Sequence, residues 1–363
     1  MVVVGGATRL TGSGLSITEW QPILGVVPPM SEADWREAFE KYRQIPQYAQ
    51  VNRGMSLDGF KAIYWWERAH RLLGRLIGFA FIVPFAIFLA RGSIPRHFIP
   101  RIAGLFLLGA AQGGLGWFMV KSGLETRVDV SQYRLAAHLA LAVAIGGYAF
   151  WLALSMRASD ASALREGRSP SPQPSSHGRG GSVAAIAVSF PLPEGEGQGE
   201  GRFARHQRAV FGAAALAALV YLQIIAGAFV AGLKAGHASD TWPLMNGEII
   251  PPGLGAYSPW YLNLFENPLT AQFTHRMLAY ATAIFAAAFA ALAWRKAPAL
   301  RLPLLVLLGA ILIQIALGIA TIVYGVPLAL ALAHQANAIA VFALALWTLR
   351  RATPRQAPDR GRQ

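Results

Sequence analysis

The chain has 363 residues, 54% of them hydrophobic and 14% charged, with no cysteine and a formal net charge of +14. Its mean hydropathy of +0.40 lies outside the range of a soluble globular domain. Without cysteine there are no disulfides, thiolate metal sites, Cys-held iron–sulfur clusters or thiol nucleophiles, and any metal falls to His, carboxylate, Tyr or Met.

The chain opens MVVVGGATRLTGSG. Its apolar part is too short to span a bilayer and lacks the basic start and cleavage site of a signal peptide. It reads as the outer end of a helix whose beginning is missing. Within the polar segment 8–62, SEADWREAFEKYRQIPQYAQ at 31–50 is helix-like, with Ser31 as N-cap and Glu37 and Lys41 four residues apart. Trp20, Trp35, Tyr42 and Tyr48 suit an interfacial lid, or simple packing of a surface helix.

Apolar runs at about 63–90, 102–120, 135–155, 209–231, 272–294, 302–324 and 329–349 are each long enough for the roughly 30 Å hydrocarbon layer. The expected fold is an all-α polytopic membrane protein. Lys and Arg concentrate at 91–101, 157–208, 295–301 and 350–362, which are alternate connections. The positive-inside rule makes these cytoplasmic, so the excess charge orients the chain and need not bind nucleic acid. Segment 156–207, with SPSPQPSSHGRGG and PLPEGEGQGEG, is expected to be a disordered low-complexity insert.

Residues 1–155 and 208–349 read as two copies of one four-helix unit, with 350–363 a basic tail. VVVGGATRLTGSG matches IIAGAFVAGLKAG, and YWWERAHRLLGRL matches LTAQFTHRMLAYA, pairing His70 with His275 and Arg71 with Arg276. AAQGGLGW at 110–117 matches LIQIALGI at 312–319, each with a Gln four residues before a Gly. RLAAHLALA matches LALAHQANA, pairing His138 with His334.

His70, His138, His275 and His334 therefore lie a few residues inside four spans that run in the same direction. A rise of 1.5 Å per residue puts them roughly 6–12 Å below the outer boundary. Membrane histidines also serve as interhelical hydrogen-bonding groups. Four at matched depth, two per repeat, point instead to two bis-imidazole sites, His70 with His138 and His275 with His334. Haem suits both, its macrocycle lying in the bundle and its propionates reaching polar groups at the surface.

Glu67, His70, Arg71, Gly74 and Gly78 share one helical stripe. Arg71, Arg75 and Arg276 are candidate propionate contacts. Arg68 and Arg75 have a competing role, snorkelling to lipid headgroups. The halves differ where Gln272 stands for Glu67 and Tyr280 for Arg75. A carboxylate one turn from an iron ligand can accept protons or stabilise positive charge, so the first half is expected to do chemistry and the second to hold a permanent haem. A structural Glu67–Arg71 ion pair is the alternative.

GGATRLTGSGLSITEW, ERAHRLLGR, the His138 segment, FTHRMLAY and LAHQANA together resemble the haem A synthase family, in its branch without paired cysteines in the outer loops. The resemblance covers nearly all of the chain outside 156–207. It implies eight spans in two four-helix bundles, the first span being incomplete here, and oxidation of the C8 methyl of haem O to a formyl group through hydroxymethyl and gem-diol stages, for terminal oxidase assembly. It further implies haem b on His275 and His334, substrate haem O near His70 and His138, and a functional role for Glu67. Implied partners are haem O and the enzyme that makes it, an electron acceptor or donor, and membrane lipid, with homo-oligomerisation a further candidate. An Ala- and Arg-rich, Lys-poor composition points to a bacterial inner membrane, with the haem sites near its periplasmic side. A non-enzymatic di-haem b electron carrier and a haem transporter are the rival classes.

Overall fold

The computed structural model describes residues 1–20, 27–125, 127–166 and 196–353. Among these every regular element is helical: α1 (Val2–Leu10), α2 (Glu32–Arg43), α3 (Pro46–Gln50), α4 (Leu57–Ala90), α5 (Ile99–Leu124), α6 (Gln132–Glu166), α7 (Glu196–Gly232), α8 (Asn263–Glu266), α9 (Pro268–Lys296), α10 (Arg301–Val323) and α11 (Leu328–Ala352), with short 3-10 turns between some of them. Seven are long and apolar enough to cross a membrane, and each contains one of the apolar runs read from the sequence. The protein is an all-α, multi-pass membrane protein. α6 and α7 run on into the polar segment 156–207 from either side; its remainder, 167–195, lies outside the described residues.

Local chemistry sets the helix limits. Ser56 caps α4 by accepting from Gly59 N, and Asn267 caps α9 by accepting from Leu269 N and Thr270 N, with Pro268 at the first position. α4 stops at Gly92, whose φ of +63° is a left-handed conformation that glycine adopts without steric cost. The segment expected to be one amphipathic helix is two: Pro46 starts α3 after the extended Ile45, because proline disfavours helical geometry in the residue before it. Ser31 caps α2 as expected, and Asp34 completes a capping box.

The second set of spans, α7, α9, α10 and α11, packs around Leu216, Leu304, Leu307, Ala286, Ala290 and Ala345, all buried. Small side chains let the backbones approach closely where lipid offers no hydrophobic driving force between helices. α6 joins this core through Val143, and a Cβ on its Gly147 would lie only 2.7 Å from the Phe342 ring of α11. α1 lies against both α4 and α11, and its Gly6 faces the Gln335 side chain so closely that a Cβ would overlap it. A second cluster, Leu15, Tyr42, Ile45, Phe60, Tyr64 and Val130, seats α2 and the segment after α1 on the first turns of α4. That cluster explains why α4 begins well before its apolar stretch.

Candidate functional site

The four histidines form two pairs. His138, His275 and His334 lie six or seven residues into α6, α9 and α11, about 9–11 Å along each axis. His70 lies further along α4, whose start is extended by the packing of Phe60 and Tyr64. His70 and His138 are electrostatic neighbours. The rings of His275 and His334 have centroids 6.5 Å apart and planes inclined at 72°. Two metal–imidazole bonds of about 2 Å, plus roughly 1 Å from each nitrogen to its ring centre, require about 6 Å between centroids. Among the described residues no three His, Asp or Glu side chains converge on one point. Paired imidazoles at this spacing fit a metal whose remaining ligands come from a macrocycle.

A glycine on an earlier helix lies against each ring. A Cβ would come within 2.6 Å of His70 Cε1 at Gly5, 3.0 Å of His138 at Gly116, 3.1 Å of His275 at Gly227 and 2.9 Å of His334 at Gly318. One turn before three of these glycines stands a glutamine whose amide nitrogen touches the same ring. Gln112 Nε2 is 3.1 and 3.2 Å from the two His138 nitrogens, and Gln223 Nε2 is 3.1 and 3.4 Å from those of His275. Gln314 Nε2 is 3.2 Å from both nitrogens of His334. Residues four apart share a helix face, which is why one face supplies both contacts. The sequence carried the signal, Gln-x-x-x-Gly, at 112–116 and 314–318. Its third copy at 223–227, Gly5, and the role of either residue were not singled out.

Glu67 is 3% exposed and both its oxygens are engaged. Oε1 accepts from Arg71 Nε at 3.0 Å and Nη2 at 2.6 Å. Oε2 accepts from Ser16 Oγ and Ile17 N, each at 2.7 Å. Arg71 also donates to the carbonyls of Ile17 and Glu19, so four of its five N–H groups are taken. Arg276 repeats this pattern, donating to the carbonyls of Ser239 and Thr241. Its buried Nε, like Gln272 Oε1, has no protein partner. Gln272 instead donates to Ser239 O at 2.8 Å. Glu67 and Arg71 therefore form a satisfied ion pair, whereas Arg276 is held, among the described residues, by carbonyls.

The arginine ladder of α4 splits. Arg68 does not reach outward; it is 7% exposed with its guanidinium 5.8 Å from the Trp65 ring centre. Arg68, Arg71 and Arg75 line a cavity of about 420 Å³, together with Ser16, Tyr64 and Lys41. Lys41 bonds Glu19 and Glu37, each at 2.8 Å, and these two carboxylates hold its ammonium above the ordinary lysine range. The Glu37–Lys41 pair is the one expected from their spacing. Tyr280, in the place of Arg75, accepts a hydrogen bond from Trp242 Nε1 at 3.1 Å.

Comparison with known proteins identifies the family of the chain. Residues 1–346 match the model of the COX15-CtaA family, described as cytochrome oxidase assembly protein. The chain is 47% identical over 353 residues to a heme A synthase of Nitrosospira multiformis, covering 96% of this chain and 88% of that protein. It is 46% identical over 351 residues to a heme A synthase of Parvibaculum lavamentivorans, covering 97% and 90%. A heme A synthase of Nitrosomonas eutropha is 43% identical over 357 residues, covering 97% and 89%. With similarity of this extent over nearly its whole length, the chain belongs to the COX15-CtaA family of cytochrome oxidase assembly proteins.

Proposed function

We propose that this protein is an oxidoreductase that converts haem O to haem A, oxidising the C8 methyl group to a formyl group for terminal oxidases. The observation that carries the reading is the asymmetry between two otherwise matching sites. Both have two histidines backed by glycine and an arginine bound to a pair of carbonyls, but among the described residues only the first has a carboxylate, Glu67, beside them. The names of relatives at 43–47% identity support the same reaction.

In this reading the chain is two four-helix halves, residues 1–155 and 208–349. Substrate haem O lies near His70 and His138, and haem b is held by His275 and His334. When bound, haem b supplies one-electron redox chemistry. The 6.5 Å, 72° arrangement of its two imidazoles supports the assignment. The methyl carbon passes to the alcohol and then to a geminal diol, which loses water to give the aldehyde. The oxygen source and the electron acceptor come from outside the chain.

Glu67 acts on positive charge that develops beside the substrate ring. Its four accepted hydrogen bonds favour a fixed negative charge over a mobile proton carrier, because its lone pairs are already engaged. Arg75 and Arg68, beside the 420 Å³ cavity, are the propionate contacts of the first half. Arg71 contributes mainly by holding Glu67. Arg276, with its unpartnered Nε, is the propionate contact of the second half. The sites lie toward the periplasmic face of a bacterial inner membrane, since the basic connections are on the other side. The enzyme that makes haem O is the upstream partner.

The test is extraction of porphyrins from membranes that express this chain beside a haem O supply, with identification by mass. Haem A or its hydroxymethyl precursor is expected. Unmodified haem O with two stably bound b haems would overturn the reading in favour of a di-haem electron carrier. Loss of a b-type haem in His275→Ala and His334→Ala, with substrate haem retained, is the expected division between the halves.

A further inference from the structure

The three glutamines beside the histidines are not used by the reaction, yet their placement repeats. In the ring plane, an atom about equally close to both imidazole nitrogens would overlap the Cε1 atom between them. The amide nitrogens of Gln112, Gln223 and Gln314, at 3.1–3.4 Å from both nitrogens of their rings, therefore lie over the ring faces. Each ring thus meets a glycine at Cε1 and an amide on one face, and the two contacts together block rotation about the bond to the ring.

The amides are themselves anchored. Gln112 Nε2 donates to His138 O and Gln223 Nε2 to His275 O, each at 3.0 Å, so each glutamine grips the backbone and the ring of one residue. Gln314 is held from the other end, its Oε1 accepting from Asn337 Nδ2 at 2.8 Å while Asn337 also donates to Ala310 O. The Oε1 atoms of Gln112 and Gln223 are buried without a protein partner. A buried unpaired amide oxygen is costly, which is hard to account for if these side chains only glued helices together.

We propose that Gln112, Gln223 and Gln314 are positioning residues that set the plane of the ligating imidazoles, and that Gln223 and Gln314 maintain the near-perpendicular arrangement of His275 and His334. The inference rests on the haem b reading above. The angle between axial imidazole planes governs the g-anisotropy of a low-spin ferric haem, and the ligand field it sets contributes to the potential. A ring held at 72° to its partner gives a strongly anisotropic signal.

The experiment uses the full-length protein purified in detergent with its haem, comparing wild type, Gln223→Met and Gln314→Met. Methionine keeps the length and removes the amide. Ferric EPR, the midpoint potential and the rate of haem transfer to apomyoglobin are recorded. Each variant is expected to retain haem, to shift or broaden the low-field g feature, to move the potential, and to lose haem about threefold faster, equivalent to about 0.6 kcal/mol for one interhelical hydrogen bond. Asn337→Leu, which touches no ring, is expected to reproduce part of the Gln314→Met shift. Unchanged g values and potential in both glutamine variants, with only a lower melting temperature, would overturn the proposal and leave the glutamines as packing residues. If His275→Ala keeps the b-type signal, the haem assignment itself fails, and the proposal with it. Should a methionine variant not accumulate, Gln223→Asn and Gln314→Asn, which retract the amide by one methylene, are read by the same three criteria.

Discussion

Arg71 donates twice to one oxygen of Glu67, one helical turn away and buried, while the same guanidinium holds the carbonyls of Ile17 and Glu19. Glu67 is thus bonded on one side to its own helix and on the other to the segment that leaves α1. Removing its side chain leaves the partly buried Arg71 guanidinium short of its counter-ion. Glu67→Ala is expected to cost about 3–5 kcal/mol, measured by thermal unfolding in detergent. Glu67→Gln, which recreates the Gln272–Arg276 arrangement of the second half, is expected to fold and to lower haem A output by roughly 10²-fold or more. Full output from Glu67→Gln would remove the carboxylate from the mechanism.

Gly318 and Gly309 are a matched pair on α10. A Cβ at 318 would press on His334 Cε1 at 2.9 Å, whereas one at 309 meets nothing within 4 Å. On the proposed assignment of haem b to His275 and His334, Gly318→Ala is expected to lose b-type haem and about 1–3 kcal/mol of stability. Gly309→Ala should keep its haem and gain up to about 1 kcal/mol from helix propensity. The haem-to-protein ratio and the melting temperature check both; equal behaviour would mean that the glycine at 318 has no special role.

Arg276 reaches two carbonyls two residues apart, Ser239 and Thr241, from one planar group. An ammonium cannot reproduce that fork. Arg276→Lys is expected to cost about 1–3 kcal/mol and to speed proteolysis of the connection between α7 and α9. Protection equal to wild type would show that the loop is held by other contacts.

The capping box of α2 makes a pH prediction outside the membrane. Hydrogen bonds from the Ser31 and Met30 amides lower the Asp34 pKa below its ordinary 3.8. A depressed folded-state value means the stabilisation is present above the unfolded pKa and is lost as pH falls through the folded one. Amide protection in the first turn of α2 should therefore be full near neutrality and fall below about pH 4. Asp34→Asn should lower protection at pH 7, and its difference from wild type should shrink as pH falls through the folded-state pKa of Asp34. A difference that stays the same at every pH would contradict it.

Much of the architecture was legible in residue order. The seven apolar runs could only be spans, because lipid satisfies no backbone groups and a helix satisfies them all internally. The expected repeat aligned His70 with His275 and His138 with His334, and the structure brings the rings of His275 and His334 together. Arg68, expected as a headgroup contact, is buried instead, with Trp65 beside it and residues 16–19 lining the same cavity, and nothing in the order of residues along α4 predicts what folds over it. Arg71 and Arg276 are each engaged by carbonyls more than thirty residues away in sequence, contacts that no local pattern announces.

The sequence by itself determined the helical membrane class, the spans, the basic sides of the connections, the four histidines and the Glu67/Gln272 difference. These depend on hydrophobicity, charge and period, which are properties of short stretches. The tertiary structure alone decided which glycine lies against which ring, that an amide covers a face of His138, His275 and His334, and that Glu67 is tied to Ser16 and Ile17. Those contacts join residues distant along the chain, and their distances depend on how the helices pack. No local pattern encodes them, because a side chain's partner across an interface is chosen by the geometry of both surfaces at once.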